Sequence, residues 1–581
     1  MNTPSSRGQE TLSLMLAALA ATALLALALR FIGIGCGLPA VFNADEPHHV
    51  NVAVSFGRGS LNPGVFKYPT LYMYGLFAAF GAYFAAWSGL GLLHSTRDFG
   101  ALFVWHPEGF YLLARVLSAL LSLLGLWRVY GTARLLGQGE PEESRRRLGL
   151  WAAALLAVSP TLIVSAHAAK PDSMMFFLAA WSWHFSFRYL QEGRARDLAL
   201  CSLLAGLAAS TQYTAAPLLL LPLSALGARV LSGDALSFGT CVRLSCLSGL
   251  AWALGLFGGS PFILLDWPSF WRDFQDHRGI VGSRELAGLV VVRNALGFAG
   301  PWAGGLALLA GAARLLAFER SKAALLLTPA AGLIGLLSLS AEGDWARYLL
   351  AAYPAFALIA ALGAEWAFSR LPRRAWATVA ALAALSLPGA WRSWAFDREL
   401  ILPDTRTEAA AWIESNLRPG TSILLDQEHA SPALRMERAQ VAELLAKTRA
   451  LGHPRERYYE LMLGSHPGGG YRIRRILREA SDLHSGSWHS DWSAKGKDSL
   501  DVRSGLSAAR AEGVRVVVLT SAGAEAARSP ALAPFLEETE REGRLLARFS
   551  PEPGLRAGPL MRIFDIAKEP ARRAGPKERK P

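Results

Sequence analysis

From Leu12 to Trp394 the chain alternates apolar stretches, many of roughly 20 residues, with short loops that hold most of the arginines of that region. No other feature constrains the fold as strongly. Runs of that length match the hydrocarbon core of a bilayer, and within a bilayer a chain must satisfy its own backbone hydrogen bonds, as helices do. Charged residues make up only 18% of the chain, against about a quarter in soluble domains. The deficit falls on the first two thirds, while Phe396 to Pro581 has ordinary soluble composition. The expected organisation is a polytopic α-helical membrane part, residues 1–393, followed by an aqueous domain, residues 394–581.

The formal net charge is +13, but the basic residues sit in short loops between apolar runs and in the tail from Lys568 to Lys580. No basic stripe interleaved with aromatics lies on a soluble face, so nucleic acid is not an expected partner. The four cysteines, Cys36, Cys201, Cys241 and Cys246, have no metal-ligand spacing, and none falls in the aqueous domain. The first apolar run, Leu12–Ile34, is too long for a signal-peptide core and reads as a helix that stays attached.

About eleven spans are expected: Leu12–Ile34, Gly109–Ala133, Gly149–Ala166, Ser173–Phe187, Leu198–Thr211, Gln212–Ala228, Val242–Leu264, Asn294–Ala317, Ala323–Leu339, Arg347–Phe368 and Ala375–Trp391. With the N-terminus inside, the arginine clusters fall in inside loops: Arg145-Arg146-Arg147, then Arg188, Arg194 and Arg196, then Arg229 and Arg243. Arg314, Arg320 and Lys322, and then Arg370, Arg373 and Arg374, continue the pattern. Outside loops are longer and mixed in sign, among them Asp45 to Lys67, Lys170 with Asp172, Asp266 to Arg293, and Glu342 with Asp344. Leu71–Leu93 is apolar enough to span, but spanning would invert every later loop. It is expected instead as a juxtamembrane or re-entrant helix on the external side. The first external loop then runs from residue 36 to 108 and is structured; a loop of that length is usually functional.

In the aqueous part, Glu408–Leu417 reads as a helix and Ser422–Leu425 as a strand. Further on, Leu506–Ala511 and Phe535–Leu545 read as helices, and Val514–Leu519, Leu546–Phe549 and Leu560–Ile566 as strands. The alternation suggests a small external α/β domain. Gly464–Ser499, rich in Gly, His, Ser and Asp, reads as a loop.

The chemistry-bearing segment follows the first span: Phe42-Asn43-Ala44-Asp45-Glu46-Pro47-His48-His49. Adjacent carboxylates near a membrane surface repel each other and are poorly solvated, so they tend to have a counterion, a metal or a catalytic task. The plainer alternative is a helix N-terminus, with Asp45 as cap and Pro47 in the first turn. Both histidines could ligate a metal, but adjacent residues on a helix do not easily face one ion.

These residues and several later segments resemble glycosyltransferase family 39, the protein O-mannosyltransferases and lipid A aminoarabinose transferases, which share the membrane fold called GT-C. Asp45-Glu46 resembles the acidic pair of that family's first loop. Leu61-Asn62-Pro63 and Tyr68-Pro69-Thr70-Leu71 are similar to its first-loop segment. His167 with Lys170-Pro171-Asp172 is similar to its His/Pro-Asp loop, and Gly206 to Pro217 to its Gly-Leu-Ala segment. Arg347-Tyr348-Leu349-Leu350 and Asp404-Thr405-Arg406 resemble two further motifs, so the resemblance runs through nearly the whole chain. It departs where Thr70 replaces a second proline, where Gln212 replaces a frequent lysine, and where Lys67 lies one residue early with Tyr68 in the basic slot.

The resemblance implies transfer of a sugar from a polyprenyl phosphate donor to an acceptor hydroxyl on the external face of a bacterial inner membrane. Asp45 would act as general base in an inverting displacement, and Glu46 would support it. Arg347 is the leading partner for the donor phosphate, with snorkelling as its alternative. Lys67 and Tyr68 are further phosphate or substrate candidates. His167, Lys170 and Asp172 either line the site or serve structure, with Asp172 capping a helix and pairing with Lys170. No cofactor or metal ligand is assigned, because the acidic residue linked to metal in aminoarabinose transferases has no clear match; a divalent cation stays open. The acceptor, whether protein, lipid or glycan, is not readable, since specificity lies in pocket shape. Two rival classes are a lipid-glycan flippase, expected to carry midplane charges and repeated halves, and a non-catalytic glycan-assembly protein.

Overall fold

The computed structural model describes residues 6–281, 287–340, 346–368, 375–426, 429–453, 455–477, 499–520 and 531–567. Glu342, Asp344, Arg370, Arg373, Arg374, the 478–498 part of the expected loop and the basic tail lie outside the described residues. The chain divides into two compact units. One comprises Met1–Gly35, Asp45–Ala85 and Gly109–Leu400; the other comprises Cys36–Ala44, Ala86–Glu108 and Ile401–Pro581. The expected boundary at 393/394 therefore shifts to 400/401, because the last long helix continues to Leu400. Two pieces of the first loop group with the C-terminal part of the chain.

The first unit is helical among its described residues. It opens with α1 (Ser6–Phe31), α2 (Glu46–Ser55) and α3 (Leu71–Gly89); α4 (Thr96–Trp105) belongs to the other unit. There follow α5 (Glu108–Leu136), α6 (Glu142–Ala157), α7 (Pro160–Ala166), α8 (Asp172–Glu192) and α9 (Ala195–Ala209). Then come α10 (Leu220–Leu231), α11 (Phe238–Gly259), α12 (Phe262–Leu265), α13 (Trp267–Val281) and α14 (Ala287–Leu296). The unit closes with α15 (Ala303–Phe318), α16 (Arg320–Ser340), α17 (Tyr353–Phe368) and α18 (Ala375–Leu400). Among the described residues five helices are long and apolar enough to cross a membrane: Leu12–Phe31, Glu108–Leu136, Tyr213–Leu231, Phe238–Gly259 and Arg320–Leu339. The α6–α7 pair, bent by 62°, is a sixth if taken as one span. Outward-facing leucines such as Leu24, Leu250 and Leu339, 67%, 71% and 89% exposed, suit a hydrocarbon surround.

Three expectations change in detail. Gly149–Ala166 is two helices, because Pro160 lacks an N–H and breaks the ladder. Arg30, fully buried in α1, reaches across to the break. Its Nη2 donates to the Leu156 carbonyl (3.2 Å), its Nη1 to that of Ala157 (3.1 Å) and its Nε to Ser122 Oγ (2.8 Å). Asn294–Ala317 is likewise interrupted between Leu296 and Ala303, where Gly300 has φ +107° and Pro301 follows. Of Leu71–Leu93, only Leu71–Gly89 is helical, forming α3, which buries Tyr72, Met73, Leu76 and Phe80 along one stripe and is not among the five long apolar helices. The break expected at Thr211-Gln212 is present, with Gln212 extended between α9 and a 3-10 segment.

Close helix packing rests on glycine. A Cβ on Gly206 of α9 would overlap the Trp252 carbonyl of α11, and one on Gly255 of α11 the Leu203 carbonyl of α9. Gly311 and Gly363 make the same arrangement between α15 and α17. Helices in membranes use such small-residue contacts because burial from water does not drive them together.

The second unit is built on a six-stranded sheet of order β3-β2-β1-β4-β6-β5. The strands are β1 (Ser422–Leu425), β2 (Arg472–Ile476), β3 (Ser499–Leu500), β4 (Val516–Thr520), β5 (Arg544–Phe549) and β6 (Met561–Asp565). β1 to β4 pair in parallel, and β6 and β5 add antiparallel. Alternation divides the core: Ile423, Leu425, Val516 and Val518 face a cluster with Ala409 and Ile413, while Leu424, Val517 and Leu519 face one with Leu506 and Phe535. Both sheet faces are covered, which explains the unbroken apolar run in β4. β2 corrects the expected Gly464–Ser499 loop at its start. Its Arg-Ile-Arg-Arg-Ile sequence buries the two isoleucines and leaves the arginines half-buried.

Candidate functional site

Asp45 stands at the N-cap position of α2, yet its side chain makes no cap hydrogen bond. Its Oδ2 instead accepts from Arg347 Nη1 at 2.7 Å and from Lys170 Nζ at 3.0 Å. The helix start, with Pro47 in its first turn, fixes the backbone and leaves the carboxylate aimed away from it. Lys170 comes from the turn between α7 and α8, and Arg347 from the 3-10 segment Ala346–Ala351. Three segments remote in sequence thus converge on one oxygen. Arg347 also donates to the Tyr348 hydroxyl at 3.4 Å and lies over its ring.

The adjacent carboxylate has a separate partner. Glu46 is fully buried and receives a bidentate pair from Arg115 of α5, Nε to Oε1 at 2.8 Å and Nη2 to Oε2 at 2.7 Å. The Ala169 N–H donates to Oε1 at 2.7 Å, and Arg115 Nη1 donates to the Ile34 carbonyl at 2.9 Å. The Glu46–Arg115 pair therefore ties the chain just after α1, α5 and the turn bearing Lys170 to one point. A planar guanidinium suits this role because it satisfies both carboxylate oxygens at once.

The electrostatics follow from these contacts. Burial raises the proton affinity of Asp45, but Lys170 and Arg347 outweigh it and hold the carboxyl well below the usual range. Asp172, first residue of α8, is 1% exposed, and its Oδ1 has no hydrogen-bond partner. Burial pushes its carboxyl up, opposed by Lys170 and Arg347. The expected pairing of Lys170 with Asp172 is replaced by the pair with Asp45. Tyr68 is half-buried beside His48 and His49, with ring centroids 5.5 and 4.7 Å away. Burial, then the charge of Asp45, raise its phenol.

Two expected residues stand apart. His167 is turned into the helical core: its Nδ1 contacts the Ile163 carbonyl and its Nε2 the Ile32 carbonyl, both at 2.9 Å, with Asp397 at 3.7 Å. It anchors the turn rather than meeting Asp45. Lys67 precedes Tyr68 on the loop, and among the described residues it makes no ion pair. Arg115 was missed as a site residue. The signal was a lone arginine near the start of the apolar run Gly109–Ala133, where a charge without a partner is costly. Among the described residues no group of three or more His, Cys, Asp or Glu side chains is placed to hold a metal ion.

Comparisons with known proteins complete the site's context. Residues 111–254 match the family described as dolichyl-phosphate-mannose-protein mannosyltransferase, a stretch that includes Arg115, Lys170 and Asp172 but neither Asp45 nor Arg347. A sequence comparison with curated proteins returned no match. Among solved structures, ArnT from Cupriavidus metallidurans bound to undecaprenyl phosphate aligns with TM-score 0.53 at 14% identity, over 94% of this chain and 98% of that one. The apo form of the same protein gives 0.52, at 14% identity and with the same coverage of both chains. The apo oligosaccharyltransferase of Archaeoglobus fulgidus gives 0.46 at 13% identity, over 91% of this chain and 73% of that one. The family resemblance read from the sequence is borne out, and the ArnT likeness extends the shared fold over nearly the whole chain.

Proposed function

We propose that this chain, a membrane glycosyltransferase of the GT-C type, moves a sugar from a polyprenyl phosphate donor to an acceptor hydroxyl, with Asp45 as general base. The carrying observation is the convergence of Lys170 and Arg347 on Asp45 Oδ2 at 3.0 and 2.7 Å. A carboxylate beside two cations is the arrangement that an acceptor proton and a leaving phosphate require together. The family matched by residues 111–254 bears the name of a lipid-phosphate-sugar transferase, and the ArnT structure holds undecaprenyl phosphate; both support the reading.

In the proposed step Asp45 takes the acceptor's hydroxyl proton, and the acceptor oxygen forms a bond to the anomeric carbon. The bond from that carbon to the phosphate oxygen breaks, its electron pair leaves with the phosphate, and the configuration inverts. Lys170 and Arg347 meet the charge that grows on the phosphate. While both cations rest on Asp45 it is a weak base, so arrival of the phosphate, which competes for them, would raise its proton affinity. Glu46 serves by positioning. The Lys/Arg distribution supports about eleven spans in a bacterial inner membrane, with the N-terminus cytoplasmic and the site and C-terminal unit periplasmic. The sugar transferred is a hexose or pentose, and the two-part chain division and the sites above belong to the same proposal.

The test is an in vitro transfer assay with the purified full-length protein and polyprenyl phosphate sugars. Asp45→Asn is expected to abolish turnover while the protein remains folded and still binds polyprenyl phosphate; full activity in that variant would sink the mechanism. The pH profile gives a second readout. In the empty enzyme Asp45 stays ionised as pH falls through about 4, so the acid limb of kcat/KM for the donor should lie below that value. In kcat, which reports the loaded complex, the limb should move to higher pH. Coincident limbs would show that the phosphate does not draw the cations away.

A further inference from the structure

His49 is 1% exposed, and neither of its ring nitrogens has a hydrogen-bond partner. It lies on α2 one turn from Asp45, edge-on to Tyr68 at 4.7 Å, Tyr72 at 5.7 Å and His48 at 5.1 Å. The charges of Asp45, Lys170 and Arg347 all act on it. Leaving a buried polar atom unpaired is destabilising, so two on one ring are a poor way to fill space that a Phe or Leu would fill better. Burial, then the neighbouring His48, push its pKa well below the ordinary value and keep the ring neutral. A neutral imidazole offers one N–H donor and one lone pair. A phosphate only accepts hydrogen bonds and already has two cations within the site. A hydroxyl both donates and accepts, and so matches both nitrogens.

We propose that His49 is a specificity residue that hydrogen-bonds a hydroxyl of the sugar on the incoming donor, against an apolar wall formed by the Tyr68 ring. The inference rests on the glycosyltransferase reading above. Access requires the Tyr68 ring to turn aside, and Tyr68 sits in the stretch between Gly59 and Thr70, where the backbone forms no helix or strand. The sugar's polar edge then meets the imidazole, while its apolar C–H face lies on the aromatic ring.

The test compares wild type, His49→Phe and His49→Asn as purified full-length proteins, with bare undecaprenyl phosphate as binding probe and undecaprenyl-phosphate hexoses and pentoses as donors. His49→Phe should keep or raise the melting temperature and leave the Kd for bare undecaprenyl phosphate unchanged. Its kcat/KM for the preferred sugar donor should fall about a hundredfold or more, because a site built to pair a hydroxyl tolerates loss of that pair poorly. His49→Asn, which keeps a donor and an acceptor, should recover at least tenfold of that loss. Wild-type kcat/KM in folded His49→Phe would overturn the proposal, and so would an equal loss of affinity for the bare lipid phosphate. If the wild type transfers no sugar from any of these donors, the glycosyltransferase reading falls and this inference falls with it.

Discussion

Asp45 and Glu46 are neighbours in sequence, but their surroundings give them opposite demands. Asp45 keeps 40% of its side chain exposed and shares one oxygen between two cations, an arrangement a ligand can disturb. Glu46 is sealed, with Arg115 4% exposed beside it. Removing one member of a buried pair leaves the other charged and unpaired, at a cost of about 3–5 kcal/mol. Glu46→Gln is therefore expected to lower the melting temperature of the detergent-solubilised protein sharply, with activity lost alongside. The double variant Glu46→Gln, Arg115→Met should regain part of the stability, since no charge is then left unpaired. An unchanged melting temperature in the single variant would show that the pair carries no structural load. Sequence alone made Asp45-Glu46 conspicuous, but it left capping and catalysis unresolved for the pair. What separates them is the convergence of Lys170 and Arg347 on one carboxylate and of Arg115 and Ala169 on the other. Those contacts link positions 69 to 302 residues apart, beyond the reach of any local pattern.

At the level of elements, hydropathy found where apolar helices lie but not where they break. Gly149–Ala166 and Asn294–Ala317 read as unbroken runs because alanine and leucine raise the average regardless of backbone geometry. Pro160 and Gly300-Pro301 carried the missing information, which is chemical rather than hydrophobic. Strand β2 was overlooked for the complementary reason: its arginines hid two buried isoleucines, Ile473 and Ile476, which are three apart and enter the two different core clusters. The contact between α9 and α11 depends on an absence of side chain, which no hydropathy window registers. A Cβ on Gly206 meets backbone rather than a movable side chain, so Gly206→Ala must push the two helices apart. Overpacking of this kind costs about 1–3 kcal/mol. Gly249, also on α11, has no atom within 4 Å of a built Cβ, so Gly249→Ala should be neutral or gain up to about 1 kcal/mol from helix propensity. Thermal unfolding of the two variants side by side checks the contrast; equal melting temperatures would show that the helices do not depend on this close approach.

For the whole molecule, the proposed orientation rests on where the arginines fall, and α3 is the element on which that reasoning turns. If Leu71–Gly89 crossed the membrane, the loops before and after it would lie on opposite sides, and every later basic loop would change sides. Ser60 precedes α3, and Leu92, 58% exposed, follows it. In a background with the four native cysteines replaced, a membrane-impermeant maleimide applied to intact spheroplasts should label both Ser60→Cys and Leu92→Cys. Glu140→Cys and Asp234→Cys, in loops flanked by arginines, should be labelled only after permeabilisation, while Glu414→Cys in the C-terminal unit should label directly. Protection of Leu92→Cys with labelling of Ser60→Cys would make α3 a span. With α6–α7 taken as one span, the same result would put Lys170 on the side opposite Asp45, at odds with the 3.0 Å contact between them. The salt bridges of the site and the placement of loop charges are independent in origin, one set by side-chain geometry and the other by how a chain inserts. On the proposed eleven-span topology, both favour a return of α3 to the side from which it starts.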